Sequence, residues 1–218
     1  GIMGISFTVL SSGSTGNVTV VRNGETTLMI DAGLSAKRID ELLGMREVSG
    51  EEIDGILVTH EHSDHIKGLG AMARKYSLPI YANTNTWKAI EKGVGKIEEH
   101  NKIIMETGQH RDFGSLRVES FAISHDAAEP VGYNFYDGKE KLCVATDLGY
   151  VSEKVKYAIS DADVLVLEAN HDIELLRMGR YPWNTKRRIL GDMGHLSNDA
   201  AGAALSEILT GRTKRTYL

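Results

Sequence analysis

Among its 218 residues the chain has a single cysteine, Cys143. One thiol excludes an internal disulfide and a thiolate metal cage, and it suits a reducing cytoplasm. The apolar surroundings of that thiol, KLCVATD, make it a buried strand residue rather than a nucleophile. Prolines number only three, and no Pro/Ser-rich linker, internal repeat or low-complexity tract divides the sequence. The chain therefore reads as one domain over residues 1–218, long enough to bury a core without staples. No run of about 18 apolar residues exists, which excludes a transmembrane helix. The opening GIMGISFTVLSSG lacks the charged-then-apolar layout of a signal peptide, so the expectation is a cytoplasmic protein with no membrane partner. Excess positive charge is missing too. The net charge of −5 argues against coating nucleic acid by bulk electrostatics. Two local basic segments remain, NTKRRIL (184–190) and GRTKRTYL (211–218), each of which, taken alone, reads first as solvated charge near a helix or strand end.

What is present is an alternation of strand and helix patterns. ISFTVL, NVTVVRNG and TTLMIDAG are short β-branched runs, with Asn23-Gly24 as a hairpin turn. SAKRIDELLGM switches to a helical period, and IDGILVTH is a continuous apolar run typical of a buried strand. SDHIKGLGAMARKY follows as a helix capped by Ser63. A strand at LPIYAN and a helix near TNTWKAIEKGV come next, then strands at LRVESFAIS, PVGYNFYDG and KLCVATDLG. VSEKVKYAISDA is helical, DVLVLEAN a further buried strand, and SNDAAGAALSEILTG a final helix. Strand-rich halves each followed by helices predict two packed sheets with helices outside, an α/β layer architecture.

The chemistry concentrates in HEHSDH, residues 60–65, which holds three of the eight histidines. His60 and His62 end a buried strand two residues apart and project to one side; Asp64 and His65 open the following helix and face back. Neutral imidazoles and carboxylates suit zinc, manganese or iron. Asp31, His125 and Asp147 also end strands, where an open sheet collects its ligands. The pattern predicts two divalent metal ions. His60, His62 and His125 hold the first, Asp64 and His65 the second, and Asp147 bridges them. Two such ions about 3.5 to 4 Å apart activate a water and clamp a phosphoryl or carbonyl oxygen.

HEHSDH resembles the HxHxDH signature of the metallo-β-lactamase superfamily, and Asp31, His125 and Asp147 match further positions of that family in order. The resemblance implies a four-layer αββα sandwich and a metallo-hydrolase with a metal-bridging hydroxide as nucleophile. It also implies that Asp31 hydrogen-bonds beside the ligands instead of binding an ion. SSGSTGN, VLEANHD and GDMGHLSNDAAGAALSEI are similar to the WalJ/YycJ-type branch, described as 5′→3′ exonucleases on duplex DNA. The last two also resemble motifs of ribonuclease Z. Carried over, Glu168 orients His195, and His195 binds the scissile phosphate and protonates the leaving oxygen. Glu168 can equally be a structural pairing, and His195 a helix-entry residue without a role.

Substrate contacts are assigned to Ser12 and Ser14 in SSGSTGN, to His171, and to Lys186, Arg187 and Arg188, which can track a DNA backbone. SSGSTGN is equally well explained as a tight turn. His100 and His110 read as solvated loop residues. The family also supplies a last histidine ligand to the second metal after a final strand; here KRTYL ends at Leu218, so the expectation is a domain lacking its C-terminal segment, the alternative being that His195 itself completes that second site. Besides the exonuclease reading stand a small-molecule metallo-hydrolase for cyclic phosphodiesters or thioesters, a tRNA-processing endoribonuclease, and a non-catalytic metal-stabilised binding protein.

Overall fold

The β-branched opening forms a three-stranded meander: β1 (Ile5–Ser11), β2 (Val18–Asn23) and β3 (Thr26–Ile30). Asn23 pairs with Thr26, so the two-residue turn is Gly24-Glu25, one residue later than the sequence suggests. Asn23 is buried and stays in the ladder, and Gly24 supplies the positive φ (+40°) that the tight turn needs. The computed structural model describes residues 4–138, 140–146, 152–169, 172–177 and 214–217.

After β3 the chain winds in parallel through β4 (Gly55–Leu57), β5 (Ile80–Ala82) and β6 (Lys102–Ile104), giving a sheet of order β1-β2-β3-β4-β5-β6. Parallel neighbours need crossovers. Helix α1 (Ala36–Met45) connects β3 to β4, α3 (Leu69–Tyr76) connects β4 to β5, and α4 (Thr84–Ile90) connects β5 to β6. Ser35 and Asn83 cap α1 and α4, accepting from Arg38 N and Thr86 N. Ile39 and Leu43 of α1, Met72 of α3, and Trp87 and Ile90 of α4 pack into one core with Met29, Ile56 and Ile80 of the sheet.

The expected single helix over 63–76 is two: α2 (Ser63–Ile66) and α3, broken at Lys67-Gly68. His62, not Ser63, is the N-cap residue, and no side chain caps this end. The break has a tertiary cause. Gly68 N donates to Ala32 O at 2.7 Å, and a Cβ on Gly68 would stand 2.0 Å from Leu34 O. The apolar run at β4 is likewise shorter than its pattern, because Val58, Thr59 and His60 leave the strand to carry the site.

The second sheet has the order β13-β12-β11-β10-β9-β8-β7. Its strands are β7 (His110–Phe113), β8 (Leu116–Ala122), β9 (Val131–Asp137), β10 (Glu140–Ala145), β11 (Val164–Ala169), β12 (Asp172–Arg177) and β13 (Lys214–Tyr217). Only β10 and β11 pair in parallel, and α5 (Glu153–Ile159), capped by Ser152, makes the crossover between them. β6, β7 and β12 carry no strand signal in the sequence reading. His110, read as a loop residue, opens β7, and His100 lies in the short 3₁₀ turn Glu99–Asn101. The predicted helix in SNDAAGAALSEILTG lies outside the described residues. By contacts the chain forms two compact units, Gly1–Gln109 with Ala127–Glu129, and His110–Asp126 with Pro130–Leu218. Among the described residues no helix is long and apolar enough to cross a membrane.

Cys143 sits within β10, fully buried, and burial pushes its thiol far above the ordinary range. A disulfide-exchange reagent at pH 8 should therefore leave the native chain unlabelled over minutes and titrate one thiol per chain in guanidinium; prompt native labelling contradicts the burial.

Candidate metal centre

The site is built where β3 and β4 end side by side. Asp31 follows β3 and holds a left-handed backbone (φ +61°), a conformation Asp tolerates better than most side chains but which still costs energy. Two contacts hold it there. Its N–H donates to Leu57 O at 2.8 Å, and its carboxylate is engaged by Thr59, just beyond β4. Thr59 N donates to Asp31 Oδ1 at 2.8 Å and Thr59 Oγ1 to Oδ2 at 2.7 Å. His65 Nδ1 lies 2.6 Å from the same Oδ2. Asp31, Thr59, His60 and His65 are all buried.

These contacts decide which ring nitrogens carry protons. A carboxylate only accepts, so His65 Nδ1 must donate to Asp31. The Thr59 hydroxyl has one proton, given to Asp31, so at 2.9 Å it accepts from His60 Nδ1. Both histidines therefore keep Nε2 as the nitrogen with the lone pair. The His60 and His65 ring centroids are 4.0 Å apart and those of His60 and His62 4.6 Å, with the latter pair edge-on. Asp64 Oδ2 lies 3.7 Å from His65 Nε2, and its side chain is about one-third exposed (34%). Neutral imidazoles oriented through Nδ1 beside a solvent-reaching carboxylate are a donor set for zinc, manganese or iron, so the residues fit the metal that the sequence predicts. On this geometry His60, His62, Asp64 and His65 offer ligand atoms, while Asp31 orients His65.

SSGSTGN takes a structural position. Gly13–Thr15 form a 3₁₀ turn, Ser12 precedes it half-buried, and Ser14 is exposed. The residue that faces the centre is Asn17, which the sequence reading passed over. Asn17 N donates to Asp64 O at 2.7 Å, and its side-chain amide reaches both Asp64 and His65. A Gly-Asn pair ending a small-residue loop was the available signal. Glu61, between the two histidines, was also missed; its carboxylate accepts from Ala128 N at 2.8 Å. Glu129 is held in turn by Asn83 Nδ2, Asn85 Nδ2 and Thr107 Oγ1.

His125 follows β8 and is half-buried in the second unit. Glu168 lies in β11 opposite Ile173 of β12. Asp147, His171, Lys186, Arg187, Arg188 and His195 lie outside the described residues.

Residues 26–217 match the family model described as a beta-lactamase superfamily domain. The exodeoxyribonuclease YycJ of Bacillus anthracis is 52% identical over 216 residues, covering 99% of this chain and 82% of that protein. The exodeoxyribonuclease WalJ of Streptococcus pneumoniae is 44% identical over 218 residues, covering 99% and 81%. Among solved structures, the metallo-beta-lactamase fold protein YhfI of Bacillus subtilis superposes with a TM-score of 0.62 at 20% identity, covering 74% of this chain and 69% of that one. With its two mixed sheets and flanking helices, its HEHSDH turn and a family match over most of its length, this chain belongs to the metallo-β-lactamase superfamily, has that family's αββα fold, and is a metal-dependent hydrolase of the YycJ/WalJ type.

Proposed function

We propose that the chain is a 5′→3′ exonuclease acting on duplex DNA. The observation that carries this reading is the 52% identity, over 99% of the chain, to a protein named an exodeoxyribonuclease. The Asp31–Thr59 network supports it by presenting His60 and His65 through Nε2. In this reading His60, His62 and His125 hold one divalent ion, Asp64 and His65 a second, and Asp147 both. The ions, when bound, supply an activated water and the positive charge that stabilises a phosphodiester transition state. The protein's own groups do the rest. Glu168 keeps His195 in the tautomer that binds the scissile phosphate and delivers a proton to the leaving oxygen. Lys186, Arg187 and Arg188 follow the DNA backbone, while Ser12, Ser14 and His171 border the substrate path. The single buried thiol agrees with a cytoplasmic place of work.

The test is a digestion of 5′-labelled and 3′-labelled duplex DNA, and of a precursor tRNA, in zinc and in manganese. An Asp64→Ala protein serves as the contamination control. Progressive release from the 5′ end, absent in the control, is the expected result. Changing Lys186, Arg187 and Arg188 to alanine should weaken binding on all sequences alike and flatten its salt dependence, by about one unit of log–log slope per lost phosphate contact. Hydrolysis of a small phosphodiester or thioester with both polymers intact would replace this reading by the small-molecule one.

A further inference from the structure

The Asn17 carboxamide is enclosed by more acceptors than it has protons. It is buried, with one acceptor and two donors to place. Oδ1 accepts from Gly13 N at 3.2 Å. Nδ2 lies 3.0 Å from Gly13 O, 3.2 Å from Asp64 O, 3.3 Å from Asp64 Oδ2 and 3.2 Å from His65 Nε2. This assignment of O and N is forced, since a flipped amide would set an oxygen against four acceptors. Gly13 O takes one proton, and Asp64 O already accepts from Asn17 N at 2.7 Å. The second amide proton faces Asp64 O, which can accept a second bond, together with Asp64 Oδ2 and His65 Nε2. In the neutral ring, with its proton held at Nδ1 by Asp31, His65 Nε2 accepts. Asp64 Oδ2 and His65 Nε2, 3.7 Å apart, are two electron-rich atoms that repel unless something positive stands between them.

We infer that Asn17 is a positioning residue for the second ion, its amide N–H bridging Asp64 and His65 in the metal-free chain and so keeping those two ligands converged. With that ion bound, His65 would hold it through Nε2, and the amide proton of Asn17 would remain with Asp64. The ligands are thus ordered before binding, which lowers the cost of binding there and not at the other ion's ligands. This inference rests on the two-ion reading given above.

The experiment pairs two measurements on Asn17→Ala and the unchanged chain. The first is nitrogen NMR of the histidine rings without metal. The expected result is His65 protonated at Nδ1, with an Nε2 signal that moves towards the unbonded-acceptor position in the variant. The second is a Zn²⁺ titration with metal analysis after dialysis. The weaker of the two dissociation constants should rise about 10- to 100-fold in the variant. The tighter one should stay within about threefold, since the side-chain amide of Asn17 bonds to Asp64 and His65, the ligands assigned to the other ion. A merely structural role predicts that both constants rise together, and that outcome, like no change in either, overturns the proposal. So does a His65 protonated at Nε2. Should Asn17→Ala fail to fold, Asn17→Leu fills nearly the same volume without an N–H, and its His65 signal must move in the same direction. An unchanged chain that binds one zinc ion sinks the two-ion reading and this proposal together. The expected titration without DNA cleavage sinks only the exonuclease reading.

Discussion

Asp31→Asn should fold, keep most of its stability, and lose the ion held through His65. Asparagine shares with aspartate a tolerance of the left-handed backbone, so φ +61° is no obstacle. Its Oδ1 can still accept from Thr59 N, as Asp31 does at 2.8 Å. The other atom changes from acceptor to donor, and it faces two donors, Thr59 Oγ1 and His65 Nδ1. Both must turn round. His65 Nδ1 becomes an acceptor and its proton moves to Nε2, the atom needed for an ion. Thr59 Oγ1, now accepting from the amide, gives its own proton to His60 Nδ1 at 2.9 Å, which moves the His60 proton to Nε2 as well. One isosteric change thus blocks two ligand nitrogens without making a cavity.

The cost to folding is the difference between hydrogen bonds to a charged and to a neutral acceptor, about 1 to 2 kcal/mol. The cost to metal binding is at least the 10- to 100-fold typical of a lost orienting partner, with two rings affected instead of one. Metal analysis after dialysis, a thermal melt and nitrogen NMR of the rings check the three parts separately. A variant that retains two ions at unchanged affinity would show that Asp31 does not set the ring protons. Asp31→Ala differs in kind. It takes the carboxylate acceptor away from Thr59 N, the Thr59 hydroxyl proton and His65 Nδ1 in a buried pocket and puts alanine at positive φ, so roughly 3 kcal/mol or more of stability should go with the metal.

Much of this centre was legible because it is local. HEHSDH occupies six consecutive positions, and its donor types and spacing suffice to expect a metal. The apolar run at β4 and the helical period of α1 were equally plain, since burial leaves short-range patterns. What stayed hidden depends on contacts between distant segments. The break between α2 and α3 is invisible in an apolar periodic stretch, where one glycine is tolerable; it is decided by Ala32 O and Leu34 O, more than thirty residues away. Asn17 reaches Asp64 across 47 positions, so the Gly-Asn pair that ends its loop does not by itself announce the role. Strand β7 escaped notice because His-Arg-Asp at an exposed sheet edge lacks the alternation that burial imposes. The one-residue slip of the Asn23-Gly24 turn has the same root, since the ladder and not the dipeptide fixed the register.

Gly33→Ala should be the most damaging single methyl group in the first unit. A Cβ on Gly33 would lie 1.8 Å from Asp64 O, 2.6 Å from Asp64 C and 2.5 Å from Asn17 N. All three are backbone atoms, so no side chain can rotate away. The same three strands of backbone are bonded to one another: Gly33 N donates to Asn17 O at 3.0 Å, Asn17 N to Asp64 O at 2.7 Å, and Ala32 N to His65 O at 2.8 Å. Making room for the methyl group means separating the loop after β3 from the turn that carries Asp64 and His65. Overpacking of a core costs typically about 1 to 3 kcal/mol when neighbours can yield. Here the neighbours yield only by breaking these bonds, so the expected loss exceeds about 3 kcal/mol and takes the second ion with it. Two glycines calibrate the result. Gly24 has nothing within 4 Å of an added Cβ but a φ of +40°, so Gly24→Ala should cost only about 1 kcal/mol of backbone strain. Gly44, exposed near the end of α1 with nothing within 4 Å, should gain up to about 1 kcal/mol from alanine. Denaturant melts of the three variants must order as Gly44→Ala above the unchanged chain, Gly24→Ala slightly below, and Gly33→Ala far below. A Gly33→Ala protein that melts beside Gly24→Ala and keeps both ions would mean that the turn carrying Asp64 and His65 is not held where these contacts place it.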